Sequence, residues 1–136
     1  MRYLIVILVM LALNFVNVAY ANVVSVDADS IERAILTDAI ENREPVNELG
    51  STVNTNQDTI EVTFFTQVLN HKDRAITHLW FYGNELMAEV ELDIGSPNWR
   101  TYSTKTILPE WQGQWRVLVV NSDQDILVEY EFNVES

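Results

Sequence analysis

Cysteine is absent from all 136 residues, and the absence closes several routes at once. There can be no disulfide staple, no thiol nucleophile and no lipid-acylated cysteine, so the fold has to hold by burial alone. Histidine is nearly as scarce: His71 and His78 are the only two. A base-activated serine needs a G-x-S-x-G elbow or a comparable arrangement, and a zinc site needs several strong ligands, often with H-E-x-x-H; neither motif occurs. Basic residues number 8 against 20 acidic ones, a formal charge of −12. A chain of that sign repels phosphate backbones and anionic lipid, which excludes nucleic acid as a partner class.

What is present begins with an address. Met1-Arg2 precedes an unbroken apolar run from Tyr3 to Leu13, and Ala19-Tyr20-Ala21 supplies a small-x-small cleavage pattern. This reads as a secretory signal peptide over residues 1–21, followed by one domain over 22–136. The alternative is an uncleaved inner-membrane anchor formed by residues 3–21; Asn14, Asn17 and the cleavage pattern argue against it. Cleavage removes Arg2 and no acidic residue, taking the formal charge from −12 to −13. An exported domain without disulfides fits a bacterial envelope, periplasmic or extracellular, and leaves no membrane contact after cleavage.

The remainder is written at period two. From Glu85 to Ile94, the apolar Leu86, Ala88, Val90, Leu92 and Ile94 alternate with mostly charged residues, and Ile60 to Val68 and Ile126 to Val134 behave likewise. Trp99 to Leu108 is β-prone but polar on both faces, as edge strands are. Asn22–Asp29 reads as a loose lead-in and Asn47–Asp58 as a surface loop. Ile31–Ile40 fits helical and strand spacing equally. About seven strands joined by short turns predict an all-β, immunoglobulin-like antiparallel sandwich, with a small barrel as the alternative.

The stretch Ile76–Val120 holds all four tryptophans and three of the four glycines, and it supplies the candidate ligand-binding residues: His78, Trp80, Trp99, Arg100, Ser103 and Lys105. Gly83-Asn84 suits a two-residue hairpin turn. Counting pairs from that turn sets Trp80 opposite Met87 and His78 opposite Glu89, on the outside; a slip of one residue buries Trp80 instead. Arg100 and Lys105, with Arg116, gather cations near Trp99, Tyr102 and Ser103, a face suited to an anion, a glycan or a protein; their structural alternative is salt bridging and packing on tryptophan rings. Trp99 and Lys105 share a strand face and Arg100 takes the other. Asn121-x-Asp123-x-Asp125 resembles the opening of a calcium loop, but Ile126 stands at the glycine position and Phe132 at the final glutamate position, so it reads as a hairpin turn and no metal is expected.

Thr77-His78-x-Trp80, Trp99-Arg100-Thr101-x-Ser103-x-Lys105 and Gly113-x-Trp115-Arg116-Val117 together resemble a bacterial family of domains of unknown function, and Arg43-Glu44-Pro45-Val46 and Phe65-Thr66 fit its pattern too. The resemblance spans Ile31–Val134. It implies an extracytoplasmic or membrane-tethered β domain and a strand over Ile31–Ile40, and it implies no activity. Relatives often carry a turn glycine where Ser122-Asp123-Gln124 stands here.

The expected function is therefore an exported, non-catalytic β-sandwich module of the bacterial cell envelope that binds a protein or polymer partner and needs no cofactor. The alternatives are a carbohydrate-binding module, which ordered exposure of Trp80 and Trp99 would favour, and a membrane-anchored structural domain.

Overall fold

The computed structural model describes residues 23–136, which form ten strands and, among these residues, no helix. Seven strands are long: β2 (Ile31–Glu41), β5 (Ile60–Leu69), β6 (Ala75–Tyr82), β7 (Glu85–Asp93), β8 (Asn98–Ile107), β9 (Gly113–Asn121) and β10 (Ile126–Glu135). Three are short: β1 (Val23–Val26), β3 (Glu44–Glu48) and β4 (Thr52–Asn54). The expected signal peptide and the alternative anchor lie outside the described residues.

Two sheets carry these strands, in the orders β1-β10-β9-β6-β7 and β3-β2-β5-β8, with β4 added in parallel beside β10. The long strands reproduce the immunoglobulin order, with β2, β5 and β8 as the A-B-E sheet and β10, β9, β6 and β7 as G-F-C-C′. The fold is an all-β sandwich, antiparallel in every pair except β4 with β10. Strand β8 pairs only with β5, so the polar Trp99–Leu108 stretch is an edge as its composition predicts.

Alternation explains which residues meet between the sheets. Val62, Phe64 and Val68 of β5 point inward, as do Trp115, Val117 and Val119 of β9 and Tyr130, Phe132 and Val134 of β10; all are buried. Trp80 packs edge-on against Phe64 and Phe132, with ring centroids 6.5 Å apart in each case, and Phe132 stacks on Trp115 at 6.2 Å. Where many immunoglobulin domains place a disulfide beside a tryptophan of the C strand, this cysteine-free chain packs aromatic rings.

Ile31–Ile40 is strand, as the resemblance implies, and four expectations change. The supposed lead-in contributes β1, held against β10. The supposed loop over Asn47–Asp58 contains β4, three residues that pair with Asn133–Glu135. Ile126 does not face the core: a bulge between Ile126 and Val128 leaves it 54% exposed and buries Leu127.

The fourth change decides the site. The turn at Gly83-Asn84 is a two-residue one, with Gly83 at a φ of 57° and Tyr82 opposite Glu85. One pair further in, a bulge leaves Met87 unpaired, so Trp80 stands opposite Ala88, and His78 opposite Val90. The extra residue shifts the phase of β7 against β6. Trp80 and His78 consequently enter the core, where Ala88 and Leu92 of β7 pack half-buried, and Leu79 and Phe81 are left on the outside.

Candidate functional site

The six candidate residues do not form one surface. Three of them meet in the interior. His78, Trp80 and Ser103 are buried, and they join a chain of hydrogen bonds whose polarity is fixed at both ends. The indole Nε1 of Trp80 can only donate, and it does so to Ser103 Oγ at 3.0 Å. Ser103 Oγ lies 2.7 Å from His78 Nδ1, His78 Nε2 lies 3.1 Å from Thr66 Oγ1, and Thr66 Oγ1 donates to the Thr101 carbonyl at 3.4 Å. Ser103 therefore donates to Nδ1, and the imidazole carries its proton on Nε2. Burial holds His78 neutral by driving its pKa down from 6.5 to about 3. Each polar group has a partner, so the network specifies the core without cost from an unpaired donor. A histidine beside a serine has the elements of nucleophile activation, yet this pair has no route to a substrate.

Trp99, Arg100 and Lys105 sit apart. Trp99 is half-buried: its ring lies so close to Gly95 that a Cβ there would stand 3.0 Å from two ring carbons, and the Arg43 guanidinium is 5.1 Å from its centroid. It borders a groove of about 540 Å³ that Asp73, Arg74 and Asp93 also line. Lys105 lies at the rim with Nζ 5.2 Å from the Trp111 ring, and it donates to the Thr106 carbonyl at 3.0 Å. Arg116, the third cation of the group, is on the other sheet with Nη1 3.9 Å from Glu129.

Arg100 belongs to a clamp that the sequence did not disclose. Strand β2 pairs with β5 only as far as Thr37, and from there it turns into a hairpin with β3 through Asn42 and Arg43, both at positive φ. This hairpin folds back across the outer face of the A-B-E sheet. The bend is held by the Thr37 hydroxyl donating to the Val46 carbonyl and by the Leu49 amide donating to Leu36. At the tip, Glu44 accepts two bonds from Arg33, at 2.9 and 2.8 Å, and one from Arg100 Nη1 at 2.7 Å. Arg33 Nε donates to Gln67 Oε1 at 2.7 Å, which orients the guanidinium. Bonds from Arg33 first, then Arg100, hold the Glu44 carboxyl down at about 2 and push Arg33 upward. Beneath lies Phe65, fully buried although it faces away from the main core, with Arg33 4.9 Å over its ring.

Among the described residues, nothing comparable covers the opposite outer face. Pairing across β7, β6, β9 and β10 gives three rows: Leu86, Phe81, Arg116 and Glu131; then Glu89, Leu79, Leu118 and Glu129; then Glu91, Thr77, Val120 and Ile126. Leu86, Phe81, Leu79, Leu118, Val120 and Ile126 form an apolar stripe running diagonally over the sheet. Its ends are open, Leu86 at 47% and Ile126 at 54% exposure, and its middle is half-buried. Glu89 and Glu91 border one side, Glu129 and Glu131 the other. Arg116 lies 4.8 Å over the Phe81 ring, and its Nε is buried without a partner. The signal for this face was present in β6, whose Ile76, Leu79, Trp80 and Phe81 make it apolar on both sides.

At the β9–β10 turn, Asn121 Oδ1 accepts from the amides of Asp123 and Asp125, both at 3.0 Å, and Asp123 pairs with Arg74 at 2.6 Å. That is hairpin-turn chemistry. Among the described residues, no group of three histidine or acidic side chains gathers as metal ligands.

No curated protein matches the chain. Among solved structures, it is similar to the CARDB domain of a Pyrococcus furiosus protein, with 10% identity over 79% of this chain and 96% of that one, at a TM-score of 0.43. It is similar to a Niemann-Pick type C2 protein from the Japanese carpenter ant, with 8% identity over 78% and 91% at a TM-score of 0.38. It is also similar to a β-glucosidase from Listeria innocua, with 15% identity over 79% of this chain at a TM-score of 0.38, and spans 16% of that enzyme. Residues 73–134, which include the His78–Trp80, Trp99–Lys105 and Gly113–Val117 segments, match a family described as "Protein of unknown function (DUF2914)".

Proposed function

We propose that this chain is an exported, non-catalytic module of the bacterial cell envelope that binds a protein partner on the open outer face of its β10-β9-β6-β7 sheet. The observation that carries the reading is the apolar stripe from Leu86 to Ile126, which none of the described residues covers. Apolar side chains that line up across four strands and stay in water are unfavourable unless something covers them. The non-catalytic part is supported by the His78–Ser103 pair, which lies in the interior away from any substrate. Export is supported by the apolar run and the Ala19-Tyr20-Ala21 pattern, which favour a mature N-terminus at Asn22.

Replacing Leu79 and Leu118 together by Ser tests the docking face. The doubly substituted protein is expected to fold and be exported as the parent is, while in-cell photo-crosslinks from a probe at position 120 to a protein partner disappear. Unchanged crosslinking from position 120 would refute the docking face. N-terminal mass spectrometry of the exported protein tests the address, and recovery of Met1 in a membrane fraction would replace cleavage by an anchor.

The carbohydrate reading keeps one supporting feature, the half-buried Trp99 beside Asp73 and Asp93 in its groove. Sugar rings stack on free aromatic faces, but Trp99 is engaged by Gly95 and Arg43, and Trp80 lies in the core. Glycan-array binding lost in Trp99→Ala would revive it.

A further inference from the structure

We infer that the occupant of the open face is a cationic amphipathic segment: one apolar ridge about three to four helical turns long, flanked on both sides by lysine or arginine. This rests on the docking face proposed above and adds the chemistry of what docks there.

Geometry sets the length. Leu86 and Ile126 are three strands and two rows apart, and at ~4.8 Å between strands and ~6.6 Å per two residues the stripe is ~20 Å long. A helix rising ~1.5 Å per residue covers that distance with about 13 residues. The stripe is one side chain wide at most points, which suits the ridge of an amphipathic helix laid across the sheet.

Charge sets the sign. Glu89 and Glu91 stand on one flank and Glu129 and Glu131 on the other. Arg116 is the only base in the three rows, and it is engaged by Phe81 and Glu129. A second copy of this face would set carboxylates against carboxylates around the apolar contact, and an anionic membrane surface would be repelled in the same way. A segment with cations on both sides of its ridge answers both flanks, gains rate from steering, and leaves no like charges opposed.

The test titrates the intact mature protein with three synthetic peptides of equal length: an amphipathic Leu/Lys helix, a Leu/Glu helix with the same leucine positions, and a Lys/Ser peptide without the ridge. Backbone and methyl NMR shifts locate the contact. The Leu/Lys peptide is expected to saturate with shifts centred on Leu79, Leu118 and Val120, and to weaken as salt rises. The other two peptides should bind at least about tenfold more weakly, as should the Leu/Lys peptide to a Glu89→Lys, Glu129→Lys double variant that melts like the parent. Equal binding of the Leu/Glu peptide at the same residues would overturn the cationic assignment and leave the docking face standing. Shifts from the Leu/Lys peptide on other surfaces only, or none at all, would overturn both.

Discussion

The two outer faces of this sandwich solve one problem in opposite ways. Each sheet carries apolar residues on its solvent side: Phe65 on the A-B-E sheet, Leu79, Phe81 and Leu118 on the other. The first sheet covers its own with the hairpin formed by β2 and β3, and fixes the cover with Glu44 between Arg33 and Arg100. Over the second, none of the described residues covers the stripe. Basic residues divide accordingly: Arg33, Arg43 and Arg100 hold the closed face, whereas on the open face carboxylates outnumber the single Arg116. Self-covering removes a surface from use, and the uncovered one is where a partner can be recognised by both shape and charge.

The largest effect is expected from the interior that both faces share. His78 is neutral in the fold, with its pKa lowered from 6.5 to about 3, so the unfolded chain takes up a proton that the folded chain refuses. Stability from this group is complete above pH 6.5 and is lost as pH falls from 6.5 to 3, by on the order of 5 kcal/mol in total. Denaturant titrations across that range measure it. A flat profile between pH 6.5 and 4 would show that acid does not reach stability through His78. The Glu44 clamp, also a depressed group, keeps its full contribution above pH 4.5 and loses it as pH falls from 4.5 to about 2, an onset below that of His78, so the closed face should not be the first part to yield.

Next come substitutions that set one face against the other. Phe65→Ala should cost about 3 to 5 kcal/mol, because its cavity lies under the hairpin, whereas Leu118→Ala should cost about 1 kcal/mol or less. Chemical denaturation of the two variants gives the ratio; equal costs would mean that the faces are equally covered. Smaller in global terms is Glu44→Gln. It removes the charge that both arginines hold, so amide exchange over residues 38–48 should rise while exchange over β9 and β10 stays as it was. Smallest of all, Glu91→Ala on the rim should leave stability within about half a kcal/mol.

Much of this was legible in the residues. Alternation in β5 and β9 located the core, the polar double face of Trp99–Leu108 marked an edge, and Gly83-Asn84 gave the hairpin turn. The bulge at Met87 was not legible. It lies inside the unbroken sequence alternation from Leu86 to Ile94, so pairing counted outward from the turn set Trp80 and His78 on the wrong face. Strands β1 and β4, at four and three residues, are too short for a period to show. The clamp joins Glu44 to Arg100 across 56 residues, a separation over which sequence patterning carries no information. Of the six candidate residues, Ser103, His78 and Trp80 meet, through hydrogen bonds inside the core, while the open stripe is built from residues read as strand positions and nothing more.

The absence of cysteine provides the most direct measurement. With no native thiol to block, the single variants Leu118→Cys and Phe65→Cys can each be labelled with a maleimide in the folded state. The thiol at position 118 should react at a rate near that of an exposed one, and the thiol at 65 should be protected until Glu44→Gln is added to the same chain. Protection at both positions, or at neither, would contradict the claim that one face is closed by the chain itself and the other is open.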